Sequence, residues 1–109
     1  MRLFFENDER SLARKLKELG PAKLSKLEWL NLEERGIGNA IDLRCLGEMS
    51  NVLEKLESIT IGVECFGLDE LANLTNLKDL IIVISCLVSL QEVIKLARKR
   101  TDLQLTTVS

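Results

Sequence analysis

The chain has 109 residues, of which 46% are hydrophobic and 29% are charged, and its net charge is -2. This length suffices for one domain with a modest core, and the balanced charge argues against nucleic acid as a partner, because nucleic-acid-binding domains are usually clearly basic. The sequence contains no histidine, which excludes Ser-His-Asp and Cys-His nucleophile systems and any zinc site with a histidine ligand. We therefore predict a protein that is not an enzyme and that holds no metal and no cofactor.

The first third of the chain predicts a strand, a helix and a second strand. A first strand is expected near residues 2–6, and the segment Ser11 to Leu19 has helical spacing. Gly20 and Pro21 should end that helix, with Gly20 as a left-handed cap and Pro21 unable to continue it. The apolar face of this helix consists of Leu12, Leu16 and Leu19.

The rest of the chain alternates strand-like and helix-like segments. Strands are expected near 27–32, 56–61, 77–84 and 102–106. Ser89 and Glu92 have the spacing of a capping box, which indicates that a helix begins there. Strands that alternate with helices predict a parallel sheet. Residues at helical spacing lie between these strands: Leu43, Leu46, Met49 and Val52 or Leu53, a short segment at 69–74, and Leu90, Val93, Ile94 and Ala97 on the inner face of the last helix.

One apolar spacing occurs three times between residues 27 and 87. In each copy an apolar residue is followed by apolar residues three, five and ten positions later, as L-x-x-L-x-L-x-x-x-x-L. The copies begin at Leu27, Leu56 and Leu77 and end at Ile37, Phe66 and Leu87. The pattern resembles the leucine-rich repeat, whose period is about 20 to 29 residues. Partial copies lie at Leu3-Phe5 and Leu103-Leu105. The successive intervals between Leu3, Leu30, Ile59, Leu80 and Leu103 are 27, 29, 21 and 23 residues.

The resemblance implies an α/β leucine-rich-repeat solenoid with one domain over residues 1–109 and about four to five repeats. The expected shape is a short right-handed arc with parallel strands on its concave side and helices on its convex side. The ninth position of the repeat is usually Asn or Cys. Here it holds Arg35, Glu64 and Ser85, which departs from the family pattern. Stacking predicts one buried column of Leu30, Ile59, Leu80 and Leu103 and another of Leu32, Ile61, Ile82 and Leu105.

Trp29, the only tryptophan, occupies a free position between two apolar residues, so it should point onto the concave face. Exposed aromatic residues often anchor partners. Phe4, Trp29 and Ile81 would then form an apolar strip, and Glu28, Glu33 and Glu34 would make its surroundings acidic, which suits a partner with basic residues around an apolar patch. The alternative is that Trp29 packs under the N-terminal segment. The predicted contact residues are Phe4, Trp29, Asn31, Glu33, Ser58, Thr60, Asp79, Ile81, Asp102 and Gln104.

These features favour a protein–protein interaction module, either an adaptor or a recognition domain. The segment LDELANLTNLKDLII is similar to repeats of plant nucleotide-binding immune receptors. The alternative is a small regulatory α/β domain switched by phosphorylation of Ser89, which would need a sheet covered differently from that of a solenoid.

The cysteines and the hydropathy pattern indicate where the protein resides. The three cysteines lack the close spacing of a thiolate metal site and suit a reducing compartment. Cys65 and Cys86 lie one repeat apart and are expected to stack as small buried residues. The opening MRLFFENDER is not a signal peptide, and the longest uncharged run, between Asp79 and Glu92, is shorter than the about 20 residues of a membrane span. We predict a cytoplasmic protein that does not enter a membrane.

Overall fold

The computed structural model describes residues 2–7, 12–34, 41–62, 65–83 and 90–108, which form a mixed α/β fold. The strands are β1 (Arg2–Asn7), β2 (Trp29–Glu34), β3 (Ile41–Asp42), β4 (Ser58–Gly62), β5 (Cys65–Phe66), β6 (Asp79–Val83) and β7 (Gln104–Val108). The helices are α1 (Leu12–Leu19), α2 (Pro21–Leu24), α3 (Arg44–Glu48), a 3-10 helix (Leu68–Asn73) and α4 (Leu90–Lys99).

Five parallel strands form the main sheet in the order β1-β2-β4-β6-β7, so each strand lies beside the next long strand of the chain. The predicted parallel sheet is therefore confirmed. The four strands after β1 begin two residues later than predicted. The reason is visible at Leu27 and Leu77, which are fully buried but end the preceding turns, because each donates its main-chain N–H to the carbonyl three residues earlier.

The rows of side chains along the sheet follow the repeated spacing, with one correction at β7. Leu30, Ile59 and Leu80 are in register and fully buried. The next member of that row is Leu105 and not Leu103, so the predicted columns are wrong in the last copy. Leu103 instead takes the place of the turn leucines, since its N–H bonds the carbonyl of Arg100. In the earlier copies the turn leucine precedes the buried strand residue by three positions, as Leu77 precedes Leu80. In the last copy Leu103 precedes Leu105 by only two positions.

The core lies on one face of the main sheet. In β4 and β6 buried and half-buried residues alternate, which is the pattern of a strand covered on one side only. The inward residues pack with Leu16 of α1, Leu46 of α3, Leu71 of the 3-10 helix and Leu96 of α4, all fully buried. The smallest dimension of the protein, 20 Å, fits one sheet and one layer of helices.

The predicted end of α1 before Gly20 is confirmed, but two details of the helix predictions are wrong. Gly20 has φ 82 and ψ 159, a positive-φ conformation outside the left-handed helical region. Pro21 does not only stop α1; it is the first residue of the short helix α2, a position where its missing N–H has no cost. After Leu43 the predicted helix is also shorter than its apolar spacing suggests, because α3 ends at Glu48 and Leu53 is buried from a turn.

Helix α4 forms where Ser89 and Glu92 predicted it, but Glu92 has a different role. Ser89 lies outside the described residues. The Glu92 carboxylate accepts hydrogen bonds from the main-chain N–H groups of Gly67 (2.6 Å) and Leu68 (3.3 Å), and so caps the 3-10 helix of the preceding connection. Ile94, expected on the inner face of α4, is 42% exposed.

A second, two-stranded sheet of β3 and β5 was not predicted. It pairs Ile41 with Cys65 and Asp42 with Phe66. Ile41 and Cys65 are buried, which confirms the expected burial of Cys65, whereas Phe66 is 42% exposed. The repeat pattern has Phe66 as the last apolar residue of its second copy, but strand alternation points Cys65 inward and Phe66 outward. The other predicted residues of these turns, Arg35, Ile37, Glu64, Ser85, Cys86 and Leu87, lie outside the described residues.

Arg100 fixes the connection from α4 to β7. Its guanidinium donates to the main-chain carbonyls of Leu74 (2.6 Å) and Leu77 (2.7 Å) and pairs with the Asp102 carboxylate at 3.0 Å. Only 12% of the Arg100 side chain is exposed. The cation directly after α4 therefore holds the turn between Leu74 and Leu77 in place.

Candidate binding face

The sheet presents its other face outward, and we call this surface the open face. It consists of two rows of side chains that cross the five strands. The first row is Arg2, Trp29, Ser58, Asp79 and Gln104, and the second is Phe4, Asn31, Thr60, Ile81 and Thr106. Residues two apart on a strand share a face, so the repeated spacing that buries one set of residues places these outward.

Eight of the ten predicted contact residues belong to these rows. Asp102 does not, because it lies in the turn before β7 and pairs with Arg100. Glu33 pairs with Gly62 through the backbone register, but its side chain lies outside the described part of the structure. Arg2 and Thr106 belong to the rows and were not predicted. Thr106 was missed because the repeat pattern aligned Leu103 with Leu80, whereas in the structure Leu105 pairs with Leu80. This difference of two residues moves Thr106 into the row of Ile81.

Phe4 and Trp29 form an aromatic pair at the β1 end of the open face. Their ring centroids are 5.0 Å apart and their planes are inclined at 81°, an edge-to-face contact. The Arg2 guanidinium lies 5.6 Å from the centroid of the Trp29 ring. Phe4 is 58% exposed and Trp29 is half-buried. Trp29 therefore lies on the open face and also packs against Phe4 of the N-terminal strand.

The centre of the open face is polar. Asn31 is 9% exposed, while Ser58, Thr60 and Asp79 are half-buried. Ile81 lies in the same row as Phe4 but three strands away, or about 14 Å at the usual strand spacing of about 4.8 Å. The predicted apolar strip through Ile81 does not form, because Asn31 and Thr60 lie between. The apolar part of the face is the Phe4–Trp29 pair.

Charges around the aromatic pair are mixed and not simply acidic. Glu28 is exposed just before β2, but Arg2 brings a cation directly over Trp29. At the equivalent position of the next two connections, Glu57 and Lys78 form an exposed ion pair at 3.9 Å. Such exposed pairs add little stability, so these charges are available to a partner.

The small β3–β5 sheet carries a second exposed aromatic residue. Arg44 holds the Asp42 carboxylate through two nitrogens, with Nη2–Oδ2 2.9 Å and Nε–Oδ1 3.0 Å. Its guanidinium carbon lies 5.6 Å from the Phe66 ring centroid. The hydrogen bonds from Arg44 lower the pKa of Asp42 below its ordinary value. Phe66 thus resembles Phe4 in its exposure and Trp29 in having an arginine over its ring, but it lies away from the open face.

Metal-binding groups, reactive cysteines and membrane-spanning helices were sought among the described residues. They contain no group of three or more cysteine or acidic residues positioned to hold a metal ion. Cys45 and Cys65 are buried and not joined by a disulfide, and burial raises the pKa of Cys45 to about 11, which keeps this thiol protonated and a poor nucleophile near neutral pH. None of the helices in the described ranges is long and apolar enough to cross a bilayer.

Comparison of the chain with models of protein families, with curated proteins and with solved structures finds no match. The roles of its residues must therefore be inferred from the open face itself. That face offers an exposed aromatic pair with a cation above it, and beyond the pair a row of hydroxyl, amide and carboxylate groups.

Proposed function

We propose that the protein is a small cytoplasmic leucine-rich-repeat solenoid that binds a protein partner through its open face, the concave side of such an arc. In this role it serves as an adaptor or as a recognition domain. The Phe4–Trp29 pair is the anchor of the interface, and the polar rows beyond it set the orientation of the partner.

The repeat arrangement is supported by the order of the strands. Each long strand lies beside the next one in the chain without a reversal of direction across the sheet, whereas a doubly wound regulatory domain reverses its strand order at a switch point. Leu30, Ile59 and Leu80 occupy equivalent places in successive copies, as stacked repeats require. These observations favour the solenoid over a phosphorylation switch built on a doubly wound sheet.

The observation that carries the binding proposal is the exposure of Phe4 in contact with Trp29. Aromatic pairs in edge-to-face contact gain about 0.5–1.5 kcal/mol beyond their area burial, so the pair is held in place before any partner arrives. A rigid aromatic surface loses little conformational entropy on binding. Tryptophan is also among the residues most enriched at the energetic centres of interfaces.

The geometry of the open face supports a partner with a particular chemistry. An apolar side chain of the partner should pack on Phe4 and Trp29. Asp79 lies two strands further along the row of Trp29, about 10 Å away at the usual strand spacing of about 4.8 Å. A basic or amide group of the partner should reach Asp79. We therefore expect a segment that crosses the strands, with an apolar residue and a donor group about 10 Å apart.

The test compares three alanine variants of the whole chain. Phe4→Ala and Trp29→Ala remove the anchor, and Phe66→Ala removes an exposed aromatic residue elsewhere, beside a similar cation. Each variant and the wild-type protein captures proteins from an extract of the native cells, and quantitative mass spectrometry compares the captured sets. A protein that depends on the anchor is then purified and titrated against all four chains.

The proposal predicts that Trp29→Ala weakens binding by about 30-fold or more, the equivalent of about 2 kcal/mol. Phe4→Ala should weaken it by a smaller factor, and Phe66→Ala should leave it unchanged. Circular dichroism should show that all three variants remain folded. Equal binding by wild-type and Trp29→Ala protein, or equal losses in Trp29→Ala and Phe66→Ala, would contradict the proposal.

A further inference from the structure

An apolar depression of about 210 Å³ lies between the first two helical connections of the fold. The connection from β1 to β2 contains α1 and α2, and the connection from β2 to β4 contains α3. The depression therefore lies between two neighbouring layers and not at either end of the stack. The residues that line it include Leu16, Lys17 and Gly20 from the end of α1, Leu24 of α2, and Met49 and Val52 of the turn after α3.

The local sequence explains why space remains between these layers. Gly20 directly follows α1 and has no side chain, and a Cβ atom added there would meet no other atom within 4 Å. On the other side of the gap, α3 ends at Glu48, and the chain continues as a turn through Met49 and Val52. The missing side chain and the short helix leave a gap that apolar groups border.

The depression is apolar inside and has a cation at its rim. Leu16 and Leu24 are buried, whereas Met49 and Val52 are half-buried. Lys17 is exposed and is the charged residue of the lining. An apolar group that filled the depression would take Met49 and Val52 out of contact with water, which is favourable.

Lys17 is available to an anion. In the part of the chain that the structure describes, no carboxylate pairs with it. The nearest acidic residue in the sequence, Glu18, pairs with Arg14 on α1, with 3.6 Å between Oε1 and Nε. The long stem of a lysine allows its ammonium group to follow a ligand at the rim. The site thus combines an apolar interior with a positive charge at its mouth.

We propose that this depression binds a small carboxylate with a linear aliphatic chain of about eight carbon atoms. An apolar cavity of about 150 Å³ accommodates benzene, which has six carbons, and in proportion 210 Å³ suits about eight. The aliphatic chain lies against Leu24, Met49 and Val52, and the carboxylate pairs with the Lys17 ammonium. Because an ion pair at an exposed rim adds little affinity, the chain supplies most of the binding and the charge selects the ligand.

The proposed site is separate from the open face. The helices pack on the buried face of the sheet, and the Phe4–Trp29 pair lies on the opposite face. Occupation of the depression therefore leaves the aromatic anchor accessible. The presence of this site does not depend on a protein partner, and it can be tested with the free protein.

The test titrates the whole nitrogen-15-labelled chain with octanoate and follows its backbone amide signals by NMR. Octylammonium has the same chain with the opposite charge, and butyrate has the same charge on a shorter chain. Lys17→Glu reverses the charge at the rim, and Val52→Phe adds volume to the lining. Lys55→Glu is the control, because Lys55 is an exposed lysine in the turn before β4. Circular dichroism verifies the fold of each variant.

Octanoate should shift the signals of Gly20, Leu24 and Val52 and leave that of Thr60 on the open face unchanged. The dissociation constant should be about 0.1–1 mM, a modest affinity for about ten non-hydrogen atoms. Butyrate should bind about tenfold or more weakly, since it has four fewer methylene groups to bury. Octylammonium should bind about threefold or more weakly, because its charge meets that of Lys17.

The variants should separate the effect of charge from that of volume. Lys17→Glu should reverse the preference between octanoate and octylammonium, and Val52→Phe should weaken the binding of both. Lys55→Glu should behave as wild type. Lys17 is exposed on a helix surface, so its replacement decides the question even where Val52→Phe does not fold.

Three results would overturn the proposal. The first is wild-type signals that do not shift at about ten times the expected dissociation constant of octanoate. The second is equal affinity for octanoate and octylammonium, or an octanoate affinity that Lys17→Glu leaves unchanged. The third is a shift of the same signals with protein concentration alone, or only on addition of a captured protein, since the depression would then belong to a second copy or to a protein partner.

Discussion

Replacement of Leu80 by alanine perturbs the centre of the repeated row. Leu80 is fully buried between Ile59 and Leu105 on the neighbouring strands. The change removes three carbon atoms and leaves a cavity that strands held on both sides cannot easily close. The lost transfer energy is about 2.4 kcal/mol at about 0.8 kcal/mol for each carbon. The cavity brings the expected cost to about 2–5 kcal/mol.

Leu105 offers a matched comparison in the same row. It is 37% exposed and borders open solvent, so its replacement by alanine loses only part of the transfer energy and creates little enclosed cavity. We expect a cost of about 1–1.5 kcal/mol. Leu80→Ala should therefore cost more than Leu105→Ala, although both delete the same atoms from the same row.

Urea unfolding followed by circular dichroism measures both costs. Leu80→Ala should lower the urea midpoint by about 1–3 M at an ordinary dependence of stability on urea. An unchanged midpoint for Leu80→Ala, or a larger loss for Leu105→Ala than for Leu80→Ala, would refute the register and the one-sided burial of the sheet.

Four further predictions concern residues outside the row. Arg100→Lys should cost about 1–3 kcal/mol in urea unfolding, because one ammonium cannot bond both main-chain carbonyls and the Asp102 carboxylate as the guanidinium does. Arg100 also lowers the pKa of Asp102, so the stability from this pair should be complete above about pH 3.9 and lost as pH falls through the lowered pKa; Asp102→Asn should flatten that part of the acid titration of unfolding, and an identical titration in wild-type protein and variant would contradict this. Glu92→Ala should cost about 1–3 kcal/mol in urea unfolding by leaving the N–H groups at the start of the 3-10 helix without their acceptor, and Gln91→Ala, an exposed neighbour, is the control. Cys45 should react with a thiol reagent near neutral pH far more slowly in the folded protein than in urea, because burial and a pKa of about 11 keep it protonated; equal rates would show that the site is open.

The sequence predicted the main sheet well because its signal is periodic and local. Leu30, Ile59 and Leu80 recur with the spacing that one-sided burial requires, and the structure places them side by side. The prediction failed at Leu105 because the last copy is shortened by one residue between turn and strand. A partial copy with two apolar residues cannot reveal such a change. The exposure of Phe66 was not predicted, because the two-residue strand β5 has too few positions to show which residues face outward.

The candidate site was predictable where it depends on strand alternation. Trp29 and Phe4 were both expected to point outward, and both do. Their direct contact and the position of Arg2 above the tryptophan depend on the stagger of β1 against β2, which the spacing of repeats does not determine. The separation of Ile81 from this pair likewise follows from counting strands across the sheet, which needs the topology.

The accessibility of Trp29 tests the central claim most directly, since it is the only tryptophan and its emission reports on the anchor alone. Acrylamide should quench the free protein partly, as expected for a half-buried ring. Phe4→Ala should increase the quenching, because Phe4 packs against the indole. Saturation with the captured partner should reduce the quenching and shift the emission to shorter wavelength, while Phe66→Ala behaves as wild type. Quenching that is unchanged when the partner is bound would show that the anchor is not in the interface.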